Sequence, residues 1–171
     1  MIDPARTTRH SAEQNLQAWL AGAGAEVEYQ PGARPGEYVV QLPGEAKLRT
    51  TVSLLLSDRA LTAVAFVVRQ PDENHAEFYR WLLARNTRLP GIAFALDLLG
   101  DVYLVGRLPL AAVTEQAVDE LLGALLGAAD SSFNELLALG FRSSIEREWH
   151  WRLDRGEPTT NLDPFRHLLE P

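Results

Sequence analysis

The stretch LRTTVSLLLSDRALTAVAFVV, residues 48–68, decides the fold. Leu48, Thr50, Val52, Leu54 and Leu56 recur every second position, the period that sets one face of a β-strand. Ser57-Asp58 suits the opening of a turn. Residues 61–68 then form a strand that is apolar on both faces, with Ala63, Ala65 and Val67 on one and Val64, Phe66 and Val68 on the other. A strand of that kind is expected to be covered on two sides, and so to be the most buried of the sheet.

Upstream, Tyr38, Val40 and Leu42 predict a strand that ends at Pro43-Gly44. Before it, Val27 and Tyr29 alternate with Glu26, Glu28 and Gln30 in a half-wet strand, followed by a loop with Pro31, Gly32, Pro35 and Gly36. Together these four strands read as a meander. Ser11 and Gln14 have capping-box spacing ahead of a helical stripe of Leu16, Trp19, Leu20 and Ala23, which Gly22 and Gly24 should stop.

Downstream, Pro71-Asp72 predicts the start of a second helix, with Asp72 as cap and Glu73 at the positive end of the dipole, running to about Asn86. Residues 92–98 and 102–108 read as strands joined in a hairpin at Leu99-Gly100. From Thr114 a long helix carries Val118, Leu121, Leu122, Leu125, Leu126 and Ala129 on one stripe, then Phe133, Leu136 and Leu137, as far as Gly140. A break is expected near residues 130–132. In the tail, Ile145, Trp149, Trp151 and Leu153 also fit a strand. The Ser143/Glu146 spacing, the Glu148/Arg152 pair and Gly156 favour helix, and Asp163-Pro164 opens a last helical turn carrying Phe165, Leu168 and Leu169.

The expected fold class is therefore α+β: an antiparallel sheet with helices packed on it, in the order α-β-β-β-β-α-β-β-α, with a helical tail. One domain fits 171 residues, with an arm at 1–10, a body at 11–140 and an extension of the same domain at 141–171.

Composition removes several kinds of chemistry. With 0 Cys there is no disulfide frame and no thiolate site, and 4 scattered His offer little to zinc. The net charge is −7, and without a basic run nucleic acid and anionic membrane surfaces are not expected partners. The start of the chain lacks a basic-then-apolar leader and no apolar run is long enough for a bilayer, so a cytoplasmic location is expected. The 32–36 loop, Gly-Ala-Arg-Pro-Gly, sets a proline where a phosphate cradle needs amide donors. No catalytic group, cofactor or metal site is expected, and no Gly-x-Ser-x-Gly elbow is present.

One polar group stands out: Arg85, Asn86, Asp97, Asp101 and Arg107, around the second helix end and the hairpin. Paired carboxylates can divide acid and base roles, whereas Asp in a turn is also what backbone geometry favours. The second helix is more informative. Phe78, Tyr79, Trp81, Leu82, Leu83 and Arg85 spread over roughly 200° of its circumference, where packing on one side needs little more than ~100°. Such a helix either is wedged between the sheet and the long helix or meets a second copy, so Phe78, Tyr79, Trp81 and Leu83 are candidate dimer contacts. The strands at 26–42 add a possible edge for an extended peptide.

The segments 78–86 (FYRWLLARN), 94–97 (FALD) and 100–109 (GDVYLVGRLP) resemble the YbjN family of bacterial sensory transduction regulators, whose fold is similar to that of type III secretion chaperones. The likeness spans roughly residues 11–140. It implies a small, acidic, non-enzymatic and commonly dimeric protein that offers its sheet and first helix to partner polypeptides. On that likeness the second helix and the 92–108 hairpin are the dimer region, and Leu16, Trp19, Tyr38 and Val40 lie near the client surface. Four strands before the second helix, where three are usual, and the tail at 141–171, which could cover that surface, depart from the chaperone pattern. The expected function is a protein-binding regulator or chaperone-like adaptor. The alternatives are a small-molecule sensor with a pocket between sheet and helices and, more distantly, an enzyme built on Asp97, Asp101 and Arg107.

Overall fold

A computed structural model describes residues 4–22 and 27–169. The expected stop at Gly24 and the wet-face Glu26 lie outside the described residues. The elements run α1 (Pro4–Gly22), β1 (Glu28–Pro31), β2 (Glu37–Pro43), β3 (Arg49–Leu56), β4 (Ala60–Val68), α2 (His75–Asn86), β5 (Ile92–Leu96), β6 (Val102–Pro109), α3 (Glu115–Gly140), α4 (Arg142–Arg155) and α5 (Arg166–Leu169), with short 3-10 turns at Leu110–Ala112 and Thr160–Phe165.

All six strands pair antiparallel in one sheet, in the order β1-β2-β3-β4-β6-β5. Only β6 leaves chain order, inserting beside β4 and making β5 the far edge. The long helix α3 lies across β3, β4, β5 and β6. The helix α1 packs on α3 and on the first 3-10 turn, and α2 on α3 and β5. Their apolar stripes share one core with the strands: Ala12, Leu16, Trp19 and Leu20 of α1, Phe78 and Leu82 of α2, and Val118, Leu121, Leu122, Leu125, Ala129 and Leu136 of α3. Gly106 lets α3 approach β6, because a Cβ there would stand 2.5 Å from Leu121 Cδ1 and 2.9 Å from Ile92 Cγ2.

Several boundaries differ from the sequence pattern. Helix α1 starts at Pro4, so most of the expected 1–10 arm is helical and the Ser11/Gln14 box falls inside a helix. Pro4 is the usable signal, since a first helical residue has no N–H partner to lose. Asp72 does not cap α2. That helix starts after Asn74, which sits in the left-handed region at φ 53°, while Asp72 takes two bonds from Arg69 and one from the Ser144 hydroxyl. Nor does α3 break at 130–132. Asp130 points off the helix, where one carboxylate oxygen accepts the Glu45 and Lys47 amides of the β2–β3 turn at 2.9 Å. Thr114 caps α3 by accepting the Ala117 amide.

The tail is helical, with Arg152 bonding Glu148 at 2.7 Å and Gly156 at φ 68° ending α4. The Ser143/Glu146 box is not formed: Ser143 lies inside α4, Glu146 pairs with Arg142, and Glu73 accepts both the amide and the hydroxyl of Ser143. Ile145, Leu162 and Phe165 make a small second core against Leu137 and Ala138 of α3, with Trp149, Leu168 and Leu169 around it. The described tail thus docks at the end of α3.

Candidate partner-binding surface

Two neighbouring cross-strand rows show how the sheet is used. The row Tyr29, Val40, Val52, Ala65, Leu104, Phe94 runs through all six strands. From Val40 to Phe94 every member is buried beneath the helices. The next row, Gln30, Val39, Ser53, Val64, Val105, Ala93, also spans the sheet, and none of its members is buried. The pleat sends it to the opposite side, which no described helix covers. The strand expected to be buried on both faces is therefore covered on one: Val64 is half-buried and Phe66 is exposed.

This open face has a defined surface. Phe66 meets Tyr103 edge to face with ring centroids 5.5 Å apart, a favoured aromatic geometry. On the other side of the Val64–Val105 row lies the row Glu37, Leu55, Thr62, Arg107. Glu37 receives Arg34 through both carboxylate oxygens, at 3.0 and 3.3 Å, and the Ser53 hydroxyl at 2.6 Å. Those hydrogen bonds, the guanidinium's first, hold its carboxyl down at about 2, well below the ordinary 4.5. Lys47, the chain's sole lysine, reaches from the β2–β3 turn to donate to the Val67 carbonyl at 3.0 Å. Its ammonium stands 5.1 Å from the Phe66 ring centroid and 5.2 Å from that of Phe133. Toward β1 a groove of about 390 Å³ is lined by Glu28, Tyr29, Gln30, Val39, Gln41 and Arg49. The open side thus has an apolar centre and a polar, mixed-charge border.

At the other end of the sheet the β5–β6 tip exposes Leu98 fully (105%) and Leu99 largely (74%). The tip is held by Asp97, whose Oδ1 accepts the Leu99 and Asp101 amides at 2.9 Å, and by Gly100 at φ 87°. Leu83, on α2, is likewise exposed at 69%.

The residues picked from sequence fall in different places. Leu16, Trp19 and Val40 are core residues, and Trp19 Nε1 donates to Asp119 Oδ1 at 3.2 Å. Their apolar surface is used within the subunit, so a partner would reach them only if α1 lifted. Tyr38 is half-buried against the same core. Of the α2 residues, Phe78 is fully buried, Tyr79 and Trp81 pack partly on the core, and Leu83 points outward. The polar group does not converge. Asp97 organises the hairpin, Asp101 accepts the Gln70 amide at 2.8 Å, Asn86 bonds the backbone of Phe94, and Arg85 stacks 5.8 Å from the Trp81 ring. Arg107 sits six residues along β6 from Asp101, a rise of roughly 20 Å, on the open face opposite Thr62. No group of His, Asp or Glu among the described residues is arranged to hold a metal ion, and no described helix is long and apolar enough to cross a membrane.

Val39, Val64, Phe66, Tyr103 and Val105 were the residues the sequence did not single out. For Val64 and Phe66 the signal is the apolar pattern of 61–68 on both faces, which marks a strand needing cover on two sides, whereas the described helices cover one.

This arrangement, a single antiparallel sheet with helices on one side, is the type III secretion chaperone-like fold. A solved structure titled "Crystal Structure of the ExsC-ExsE Complex" superposes with a TM-score of 0.53 over 74% of this chain and 94% of that chain, at 21% identity. The chain belongs to the YbjN family, whose model, described as "Putative bacterial sensory transduction regulator", matches residues 13–138. Similar sequences are the uncharacterized proteins Rv0487 of Mycobacterium tuberculosis and Mb0497 of Mycobacterium bovis. Each is 52% identical over 139 residues, which is 81% of this chain and 76% of theirs. ML2442 of Mycobacterium leprae is 51% identical over 132 residues, 77% of this chain and 72% of its own. The family is described as one of regulators, and the solved structure shares the fold.

Proposed function

We propose that this protein is a non-enzymatic, homodimeric regulator or chaperone-like adaptor that holds a partner polypeptide on the open face of its sheet. The observation that carries the proposal is the uncovered row Gln30, Val39, Ser53, Val64, Val105, Ala93 with the Phe66–Tyr103 pair beside it. A contiguous apolar centre inside a polar border is the anatomy of a protein interface. The structure of similar fold is a complex of two proteins, which agrees with a polypeptide partner. For the dimer, Leu83, Leu98 and Leu99 supply exposed apolar surface at the α2 and hairpin end, where a second copy would bury it about a twofold axis. A cytoplasmic setting goes with this role.

Light scattering on the purified chain tests the dimer: about twice 19.0 kDa is expected, and Leu98→Asp with Leu99→Asp should halve it. Cross-linked capture compares wild type with Val64→Arg. A polypeptide held by wild type and released by Val64→Arg supports the open face. A wild-type monomer, or capture that Val64→Arg leaves unchanged, overturns the corresponding half.

A further inference from the structure

Between the last turn of α2 and the facing side of α3 lies a cleft of about 460 Å³, lined by Trp81, Ala84, Arg85, Thr87, Arg88 and Glu135. Neither of its two arginines is neutralised by a carboxylate: neither lies within 4.0 Å of one among the described residues. Arg85 Nε is buried with no hydrogen-bond partner there. A basic residue at a helix end commonly satisfies free carbonyls, but this end is already closed. The Thr87, Arg88 and Leu89 amides donate to the Ala84, Arg85 and Asn86 carbonyls, and the Thr87 hydroxyl donates to Ala84 as well.

The charge balance is also unusual for its location. Residues 70–140 carry 4 basic and 10 acidic side chains, yet two of those four line this cleft with a single carboxylate, Glu135. Arg85 is oriented by Trp81, its guanidinium 5.8 Å from the ring, and Trp81 is braced in turn by Phe94, centroids 6.0 Å apart. A guanidinium held over an aromatic ring, with no carboxylate on it, is a prepared donor for a planar or tetrahedral oxyanion through its terminal N–H groups. The volume falls within the ordinary range of small-molecule sites.

We infer that this cleft binds a small metabolite through its oxyanion. Arg85 and Arg88 take a carboxylate or phosphate, Trp81 lies against the body of the molecule, and Glu135 accepts from a hydroxyl or ammonium. This site is separate from the open sheet face and does not depend on the protein-binding role.

The test is calorimetric titration of the full chain, at fixed ionic strength, with inorganic phosphate, adenosine 5′-monophosphate and L-phenylalanine in turn. Saturable binding of at least one is expected. The phosphate and nucleotide arms report a phosphoryl ligand, and the amino-acid arm a carboxylate. Arg88→Gln, at an exposed position, should weaken the bound probe about tenfold, the loss of one charge-assisted contact. Arg85→Gln with Arg88→Gln should abolish it while the circular dichroism spectrum is retained. No saturable heat from any of the three probes up to about 10 mM, a weak limit on the affinity scale, overturns the inference. So does binding that Arg88→Gln leaves unchanged, a readout that stands even if the double variant does not fold.

Discussion

The side chain of Asn86 completes the hydrogen bonds of Phe94 as a neighbouring strand would: Nδ2 donates to the Phe94 carbonyl at 3.2 Å and Oδ1 accepts its amide at 2.7 Å. Phe94 is the central residue of β5, an edge strand. Exposed edge groups invite pairing with another chain, and here one amide side chain from the end of α2 occupies them.

Asn86→Ala should therefore cost about 1–3 kcal/mol, because it leaves a part-buried amide and carbonyl unpaired. Urea unfolding should show a lower midpoint with unchanged slope, and turbidity on storage should rise as the β5 edge becomes available.

Core and open face should respond in opposite ways. Leu16→Ala removes a buried side chain and should cost about 2–5 kcal/mol. Phe66→Ser, on the open side of β4 at 36% exposure, loses its edge contact with Tyr103, about 0.5–1.5 kcal/mol, and the Lys47 contact, and should cost less than Leu16→Ala while releasing a captured polypeptide. Thermal unfolding and cross-linked capture, run together, check both.

The Glu37 carboxyl gives a pH dependence of known sign. Its folded value, about 2, lies below the ordinary 4.5, so the folded state binds fewer protons than the unfolded one between them. The stabilisation is fully present above about 4.5 and fades as pH falls through about 2. Asp72, lowered by its bonds from Arg69 and Ser144, acts in the same direction. Comparing urea midpoints of wild type and Glu37→Gln from pH 5 to pH 2 should show a gap that closes toward the acid end.

Gly106→Ala should press a methyl against Leu121 and Ile92. Overpacking of this kind costs about 1–3 kcal/mol, a fall in melting temperature of roughly 2–4 °C per kcal/mol for a chain of this size.

Asp97→Ala and Arg107→Ala separate hairpin architecture from chemistry. The first loses two amide contacts, at about 1 kcal/mol each. The second, on an exposed strand position, should stay within about 0.5 kcal/mol. A specific loss of partner capture by Arg107→Ala, at unchanged stability, would give it a binding role.

Element type was legible wherever one face of a segment is buried. The period of two in β3 and the stripe of α3 are consequences of burial against a single neighbour, and each appears as written in the sequence. Boundaries were less legible because they depend on long-range bonds. Asp72 looks like a cap in isolation, yet it is engaged by Arg69 and Ser144, and the latter is 72 residues away. Asp130 looks like a helix breaker, yet it serves amides on the β2–β3 turn. The surface proved hardest to read. Leu16 and Phe66 are both apolar in a periodic pattern, and only the sheet order and the placement of the described helices on one side decide that Leu16 is inside and Phe66 is not. The arginines at 85 and 88 carry no motif, and their proximity to Glu135 depends on how α2 packs on α3.

The plugged border at Phe94 also limits assembly. A sheet whose two margins are both receptive can be extended copy after copy into a fibril. Here β5 is closed to newcomers by Asn86, and among the described residues only the β1 margin, with Glu28 and Pro31, is left without a neighbour. Any strand-to-strand joining of this molecule would thus end with two copies set margin to margin, a closed pair with no site for a third.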